Sequence, residues 1–325
     1  MIFLILFLIG FAVFLKLSDS SLNLFFWSRV SRKTEADHYR GKVVWIIGAS
    51  SGIGEHIALR LATFSNSLIL SARRTDLLET VAKKCRDANS QCEVKILPID
   101  ICDFESLASK TKEADELFSR KVDIVVLNAG RSQRAEWTEI EPSVDIDCFK
   151  VNALGPTHIA RSILRNRGLH PTGEKTDKLQ FVVISSVAGL LPAILSPSYA
   201  ASKAALMQYF RLLAVEMGEK GINVSIICPS HVYAPNMLKS AFTAEDGKEH
   251  GEVIEAPREA QMTPQRAAEL ISLAATHKIH ECVIASTPSV MASIYFFALL
   301  PGLFIRIINI VGAKKLRKIR SAHQR

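Results

Sequence analysis

Tyr199 and Lys203 lie four positions apart in a stretch with helical patterning, and they form a candidate pair for proton transfer. Residues four apart share one face of a helix, so the Lys203 ammonium can lie beside the Tyr199 phenol. A phenol has an ordinary pKa of about 10, and a neighbouring ammonium favours the phenolate by roughly 1 to 3 units. The pair therefore predicts a general acid–base, although a lone Tyr-x-x-x-Lys is also common on helices.

Two other polar side chains could assist this chemistry. Ser186 follows a strand-like run, 13 residues before Tyr199, and could hydrogen-bond a carbonyl oxygen while Tyr199 protonates it. Ser185 is the neighbouring alternative. Asn152, in a helical stretch, could hold a water linked to Lys203 and complete a proton relay, or it could make a hydrogen bond at a helix kink.

A glycine-rich turn follows the first strand-like run and opens a helical pattern. Its sequence is Gly-Ala-Ser-Ser-Gly-Ile-Gly over residues 48–54. Without Cβ atoms the backbone can approach a pyrophosphate at a helix N-terminus. The spacing differs from G-x-G-x-x-G, and an ordinary tight turn is the alternative, but the strand before it and the helix after it favour a dinucleotide site. The candidate cofactor contacts in the turn are Gly48, Ser50, Ser51, Gly52, Ile53 and Gly54.

Alternating strands and helices must position these residues. Short apolar runs separated by helical patterns predict an α/β fold with a Rossmann-type, doubly wound parallel sheet of seven strands. The predicted strands are Val43–Ile47, Leu68–Leu70, Val94–Leu97, Val122–Leu127, Phe181–Ile184, Val224–Ile227 and Val283–Ala285. After the first strand, an apolar stripe at helical spacing packs on the sheet, formed by Ile53, Ile57, Leu61 and Phe64. Neither a repeat nor a low-complexity linker interrupts residues 41–289, which predicts a single domain there.

Arg73 and Arg74 follow the second strand, at the position where an NAD-binding fold usually carries an acidic residue for the ribose 2′-hydroxyl. Basic residues there favour a 2′-phosphate instead. We therefore predict NADP(H) rather than NAD as the cofactor. A solvent-exposed charge pair at a helix start is the alternative.

The order and spacing of these motifs resemble the short-chain dehydrogenase/reductase family over about residues 41–290. Asn128-Ala129-Gly130 follows the fourth strand, and the 13-residue spacing in the family selects Ser186 over Ser185. The resemblance implies that Tyr199, Lys203, Ser186 and Asn152 are the catalytic residues, with Tyr199 and Lys203 also contacting the nicotinamide ribose. It further implies cofactor contacts at Asp100, Asn128, Gly130, Pro229 and Val232, and predicts no metal site.

Four positions depart from the family pattern. Ile47 replaces a Thr, Leu127 replaces the first Asn of Asn-Asn-Ala-Gly, Ser230 replaces the Gly of Pro-Gly, and Ala234 stands where a Thr or Ser often holds the carboxamide. None of these changes removes a catalytic group. Ser230 and Ala234 put the orientation of the nicotinamide in doubt.

The apolar ends of the chain predict membrane contact. Residues 1–15 carry no charged side chain, and we interpret residues 1–17 as an uncleaved membrane anchor followed by a linker at 18–40. A cleaved signal peptide is the alternative. The basic residues after the segment place the body in the cytosol. The layout is similar to the membrane-anchored 11β-hydroxysteroid dehydrogenase branch, which implies the endoplasmic reticulum membrane.

Residues 290–325 form an apolar arm with a basic tail. The uncharged stretch 290–305 contains Pro301-Gly302 and is followed by a basic run, which suits a segment at the membrane interface. Alternatively, the arm packs over the substrate pocket or on a second copy in a homodimer.

Charge is distributed unevenly along the chain. The formal net charge is +8, yet residues 41–289 carry 28 basic and 29 acidic side chains, while residues 290–325 carry seven basic and no acidic ones. A nucleic-acid surface needs a basic face on the folded domain, so this distribution excludes a nucleic-acid partner and favours anionic membrane lipid.

The function predicted from these features is oxidoreduction of a carbonyl or alcohol with NADP(H) on a hydrophobic small molecule, such as a steroid or retinoid, at a membrane. Two alternatives remain open: a ketoreductase of lipid synthesis acting on long-chain ketolipids, and an NADP-binding scaffold protein with low turnover. The polar, aperiodic stretch 231–262 lies where this family places its substrate lid.

Overall fold

The computed structural model describes residue 10, residue 14 and residues 18–64, 66–257 and 261–312. The predicted anchor, residues 1–17, lies outside this part of the chain except for Gly10 and Phe14. The basic tail from residue 313 onward lies outside it as well. Among the helices described, none has both the length and the apolar content needed to cross a bilayer.

Seven parallel strands form one sheet, which confirms the predicted strand number and direction. The strand order is β3-β2-β1-β4-β5-β6-β7. The strands are β1 Val43–Ile47, β2 Ser67–Ser71, β3 Glu93–Ile96, β4 Ile124–Leu127, β5 Gln180–Ile184, β6 Asn223–Pro229 and β7 Glu281–Ile284. The order reverses between β1 and β4, and ligands of open α/β sheets bind beyond the carboxyl ends of the strands at such a switch point.

Helices cover both faces of the sheet. They are α1 Leu22–Val30, α2 Glu35–Tyr39, α3 Gly52–Ala62, α4 Thr75–Ala88, α5 Leu107–Glu116, α6 Pro142–Phe149, α7 Gly155–Asn166, α8 Pro197–Met217, α9 Pro264–Thr276, α10 Pro288–Leu299 and α11 Pro301–Val311. The central strands β1, β4 and β5 are therefore buried at every position and read as continuous apolar runs, whereas the edge strand β3 alternates exposed charged and apolar residues.

Strand β1 illustrates why the sequence folds in this way. Its side chains alternate between the two faces. Val43, Trp45 and Ile47 belong to one hydrophobic cluster, while Val44 and Ile46 belong to the cluster on the other face. All five are buried, so the first strand holds the glycine-rich turn at its end in a fixed place.

Residues 18–40, predicted as a linker, are instead folded against the domain. Ser20 pairs with Ile284 of β7 in an isolated antiparallel bridge, and the Ser21 N–H donates to the Val283 carbonyl at 2.9 Å. Further along, Leu24 and Tyr39 are fully or almost fully buried, with 0% and 2% exposure. The sequence pattern missed this because the partners lie more than 200 residues away.

The C-terminal arm consists of α10 and α11, which meet at Pro301. Met291 and Ile294 of α10 are buried, which attaches the arm to the domain. No residue of α11 is buried. The arm therefore extends from the body with its apolar side chains exposed.

Candidate active site

The four predicted catalytic side chains come from three parts of the fold and converge beyond the carboxyl ends of the strands. Tyr199 and Lys203 lie in the first two turns of α8. Ser186 comes two residues after the end of β5. Asn152 lies in a π-helical stretch, Lys150–Leu154, between α6 and α7, and π-helical turns of this kind are frequent at functional sites.

Tyr199 is half-buried, and desolvation raises the pKa of its phenol above the ordinary value. A hydrogen bond with Ser186 opposes that shift, followed by the positive charge of Arg134. The prediction that Lys203 lowers this pKa is wrong: the Lys203 Nζ lies 6.0 Å from the centroid of the Tyr199 ring, and burial of the phenol dominates. The phenol is therefore protonated at neutral pH, as a general acid must be.

Ser186, rather than Ser185, is the serine placed against Tyr199. The Ser185 Oγ donates to the Lys203 carbonyl at 3.1 Å, so that hydroxyl is occupied by the backbone of α8. The Ser186 Oγ accepts from the Ala188 N–H at 3.1 Å and hydrogen-bonds with the phenol. Of the two serines, Ser186 is thus the one in contact with the phenol, and its catalytic role stays a prediction.

Lys203 is 4% exposed, and its Nζ donates to the Ile184 carbonyl at 2.9 Å. Desolvation lowers the pKa of this ammonium from 10.5 to about 8. A group whose pKa lies near the working pH exchanges protons readily. Lys203 is thus suited to pass a proton towards Tyr199.

Asn152 is fully buried and fixed by hydrogen bonds at both ends of its amide. Its Oδ1 accepts from the Arg131 N–H at 2.9 Å, and its Nδ2 donates to the Arg131 carbonyl at 2.9 Å and to the Ser202 Oγ at 3.0 Å. A Cβ built at Gly130 would lie 2.9 Å from the Asn152 Oδ1 and 3.3 Å from the Lys203 Nζ. The absence of a side chain at Gly130 therefore leaves a small space that both polar groups face.

The glycine-rich turn is tightly packed against the residues that follow β4. Gly48 has φ +90°, and a Cβ there would lie 2.6 Å from the Ala129 nitrogen. A Cβ at Gly54 would lie 2.1 Å from the Gly48 oxygen, which also accepts from the Asn128 Nδ2 at 2.9 Å. Larger residues at 48 and 54 would separate the turn from the sheet.

Gly52, by contrast, faces open space. It begins α3, and the nearest atom to a Cβ built there is the Ala234 Cβ at 3.9 Å. The N–H groups of the first turn of a helix are available to an anion. The turn thus fits a dinucleotide, whose pyrophosphate would be held by the backbone at the start of α3.

Comparison with known proteins agrees with this geometry. Residues 42–246 match the sequence model of the short chain dehydrogenase family. The chain belongs to the short-chain dehydrogenase family. Human dehydrogenase/reductase SDR family member 7 is 31% identical over 321 residues, 98% of this chain and 91% of the human protein. Bovine dehydrogenase/reductase SDR family member 7B is 28% identical over 288 residues, 86% of this chain and 84% of the bovine protein.

Two solved structures show the same fold. An alcohol dehydrogenase from Thermococcus sibiricus complexed with 5-hydroxy-NADP has a TM-score of 0.62 and 24% identity, covering 76% of this chain and 97% of that one. A short-chain dehydrogenase from Sphingobium yanoikuyae in complex with NADPH has a TM-score of 0.61 and 22% identity, covering 74% and 87%. As a member of the short-chain dehydrogenase family, the present 325-residue protein is an oxidoreductase of alcohol and carbonyl groups that uses a nicotinamide cofactor.

The two arginines of the dehydrogenase after β2 take different positions. The Arg74 Nη2 donates to the Ser50 Oγ at 3.0 Å and to the Ser51 Oγ at 3.1 Å, so Arg74 lies over the glycine-rich turn. Arg73 is largely exposed, with its Nη1 4.0 Å from the Asp100 Oδ2. Asp100, predicted to contact the adenine, is thus near Arg73 at the adenosine end of the predicted site.

The loop of the dehydrogenase that is predicted to contact the nicotinamide accommodates Ser230. Its Oγ accepts from the Ser286 N–H at 2.6 Å, which turns the hydroxyl towards the residues after β7. Pro229 ends β6, and Val232 pairs with Met262 in an isolated bridge. Ser230 therefore ties this loop to the sheet, and its side chain is occupied there. Ala234 supplies no hydroxyl for the carboxamide.

Sequence reasoning missed Arg134, which lies in the loop after Gly130 and interacts with Tyr199. That loop also contacts the predicted lid, residues 231–262. The Arg134 N–H donates to the Phe242 carbonyl at 2.8 Å, and the Arg131 guanidinium lies 3.9 Å from the centroid of the Phe242 ring. The loop has no periodicity, so its partners could not be found from the pattern. The one available signal was the presence of two arginines within four residues of Gly130.

Proposed function

We propose that this dehydrogenase uses NADP(H) to reduce the carbonyl group of a hydrophobic substrate, such as a steroid, retinoid or long-chain ketone, at a membrane. The observation that carries the proposal is the contact of Ser186 with Tyr199, above the buried Lys203 and beside a turn shaped for a dinucleotide. The substrate class is supported by the segment between Ser186 and Tyr199. Its five large apolar side chains are all half-buried, at Val187, Leu190, Leu191, Ile194 and Leu195.

The residues divide the reaction between them. Bound NADPH supplies the hydride. Ser186 hydrogen-bonds the carbonyl oxygen, and Tyr199 donates its phenolic proton to that oxygen, so negative charge is stabilised as it develops. Lys203, with its pKa of about 8, replaces the proton on Tyr199 through the space beside Gly130 that Asn152 also faces. In the oxidative direction the same protons move in reverse.

The experiment that tests this function is NADPH oxidation by the detergent-solubilised full chain. A panel of steroid ketones, retinal and long-chain ketones is supplied, and the loss of absorbance from NADPH is followed. Turnover on one class would support the proposal and rank the substrates. NADPH binding without turnover on any of them would count against it and favour a scaffold role, while a preference for ketolipids would favour lipid synthesis.

We propose NADP(H) rather than NAD because Arg74 lies over the glycine-rich turn and Arg73 lies near Asp100, so both could face a 2′-phosphate. The single variants Arg73→Ala and Arg74→Ala are each expected to raise the Kd for NADPH about 10-fold or more, which corresponds to the loss of one charge-assisted hydrogen bond. The Kd for NADH should change little. Cofactor fluorescence measures both constants. Lys83→Ala, an exposed change on α4, is the matched control. An equal increase in the Kd for NADPH and the Kd for NADH would contradict the assignment of these arginines to a 2′-phosphate.

Membrane attachment is supported by exposed apolar side chains on α1, α10 and α11, which we call the apolar surface. The helices adjoin: the Leu22 N–H donates to the Tyr295 Oη at 3.2 Å. Isolated exposed apolar residues are ordinary, but a contiguous set marks an interaction site. The exposed members are Leu22, Phe26, Trp27, Val30, Leu299, Leu300, Leu303, Ile305, Ile307, Ile310 and Val311.

The charge around this surface supports anionic lipid as its partner. Arg306 lies within α11, and Lys314, Lys315, Arg317, Lys318 and Arg320 follow it in the sequence. Basic side chains beside an apolar face bind anionic headgroups while the apolar side chains enter the acyl boundary. We propose that the enzyme is located at the endoplasmic reticulum membrane, with the domain on the cytosolic side.

Trp27 offers a direct test of this attachment. Trp27 is 50% exposed on the apolar surface, Trp45 is buried in the core and Trp137 is 77% exposed elsewhere. In vesicles containing brominated lipid, a Trp137→Phe chain is expected to lose tryptophan emission, because bromine quenches Trp27 at the acyl boundary. A Trp27→Phe chain should be quenched much less. Equal quenching of the two variants would contradict the assigned surface.

A further inference from the structure

Arg134 carries a positive charge into the active site without a carboxylate partner. Among the residues that the structure describes, no Asp or Glu forms an ion pair with it. Its Nη1 donates to the Gln133 carbonyl at 2.9 Å and to the Ser196 Oγ. Its Nε and Nη2 make no hydrogen bond to this part of the chain. The guanidinium therefore keeps a free edge with two parallel donors.

The position of Arg134 is fixed by the segment that leads into α8. Ser196 is the N-cap residue of α8, three residues before Tyr199, and the positive charge of the Arg134 guanidinium acts on the Tyr199 phenol. The Ser196 Oγ also donates to the Gln133 carbonyl at 2.7 Å, and the Ala135 N–H donates to the Leu195 carbonyl at 3.1 Å. Several hydrogen bonds thus join residues 133–135 to residues 195–196.

This junction shows two further signs of a binding site. Leu195 has φ +62°, a left-handed conformation that is costly for a non-glycine residue and clusters at ligand sites. The two joined segments also carry buried polar groups without partners: both amide atoms of Gln133 and the Ser198 Oγ lack hydrogen bonds among the described residues. Gln133 is 0% exposed and Ser198 2% exposed. Unpaired buried polar groups in native proteins call for water or a ligand nearby.

The half-buried guanidinium is partly desolvated, and desolvation lowers its pKa. An anion would offset that cost. The two free donors lie on one planar edge, and a carboxylate matches such an edge with two parallel hydrogen bonds. Arg131, the other arginine of this loop, is different because its Nη2 is already paired with Glu249 at 2.7 Å.

We propose that Arg134 is a specificity-determining residue that binds a carboxylate of the substrate through its Nε–Nη2 edge, close to the carbonyl that Tyr199 protonates. The substrate class is thereby an apolar oxo acid, with the ketone and the carboxylate within a few bonds of each other. This inference deepens the proposed reductase function and rests on it. The apolar chain of the acid would contact the half-buried leucine and isoleucine side chains between Ser186 and Tyr199.

Binding, rather than turnover, gives the first test, so that it stays separate from the proposed reaction. The full chain in detergent with bound NADPH is titrated with dodecanoate and with dodecanol, and nicotinamide fluorescence reports binding. The wild type is expected to bind dodecanoate at least about 10-fold more tightly, the worth of a charge-assisted pair. Arg134→Gln should lose that preference, and Arg134→Lys should retain part of it.

Arg131→Gln is the matched control, because it removes an arginine of the same loop whose charge is already paired. It is expected to keep the preference for dodecanoate. Retention of the preference in Arg134→Gln, or no preference in the wild type, would overturn the proposal. NADPH affinity and circular dichroism of each variant show whether it is folded.

Turnover gives the second test. The wild type is given 3-oxododecanoic acid and 2-dodecanone, and kcat/KM is compared. Arg134→Gln is expected to lose about 10- to 100-fold on the oxo acid and only a few-fold on the ketone. Equal loss on both substrates would show that Arg134 acts only through Tyr199, against the proposal. If neither is reduced while the carboxylate preference is present, the reductase function fails and the anion site stands.

Discussion

Tyr199→Phe is expected to lower kcat/KM for carbonyl reduction about 1,000-fold or more while leaving the Kd for NADPH within a few-fold. The change removes one hydroxyl, the proton donor, and general acid catalysis of this kind is worth about 10²- to 10⁴-fold. The ring remains and keeps its packing beside the hydrophobic core. NADPH oxidation gives the rate, and nicotinamide fluorescence gives the affinity.

Tyr209→Phe supplies the control for that experiment. Tyr209 lies on the same helix as Tyr199 but is 37% exposed, and its ring contacts the Arg161 guanidinium at 5.6 Å. This variant should match the wild type. Activity of Tyr199→Phe within 10-fold of Tyr209→Phe would assign the proton donor to another group.

Gly130→Ala is expected to lower kcat about 100-fold, within the range for loss of a proton-transfer path. The new methyl group would lie 2.9 Å from the Asn152 Oδ1 and 3.3 Å from the Lys203 Nζ. Asn152 is buried and fixed at both ends of its amide, so it cannot move away. The methyl group therefore either fills the space between Asn152 and Lys203 or displaces the Lys203 side chain. We expect kcat to change far more than the Kd for NADPH, and steady-state kinetics with fluorescence titration separates the two.

Gly218→Ala is a suitable comparison for this variant. Gly218 has no neighbouring atom within 4 Å of an added Cβ, and its φ of −60° is open to alanine. The substitution should leave turnover and folding unchanged. If Gly130→Ala and Gly218→Ala behave alike, the space beside Gly130 plays no part in the reaction.

Much of the fold follows from local sequence. The central strands β1, β4 and β5 are apolar runs buried on both faces, so their existence is visible without knowing their neighbours. The strand ends differ from prediction by one or two residues, as at Ser67 and Glu281, because polar end residues join the ladder through backbone atoms alone. The folded segment 18–40 could not be predicted, since its pairing with β7 depends on residues brought close only by the complete fold.

The candidate active site likewise contains residues that the sequence can predict and residues that it cannot. Tyr199, Lys203 and Ser186 stand at fixed spacings on regular elements, so their convergence could be expected, and their catalytic roles stay predictions. The predicted direction of the Tyr199 pKa shift is wrong, because the pKa is raised by burial, and burial is a property of the folded protein. Arg134 could not be found, since its loop is aperiodic and its contact with Ser196 spans 62 residues.

The pairing of Ser20 with Ile284 determines which pieces of this chain can be handled in solution. A domain cut at residue 41, the boundary indicated by the motif pattern, would leave β7 with unpaired backbone donors and acceptors at the end of the sheet. It would also uncover the apolar surfaces that Leu24 and Tyr39 now fill. An open strand of this kind is a template for joining other chains, so such a fragment would aggregate. A soluble form of the enzyme needs residues 18–40.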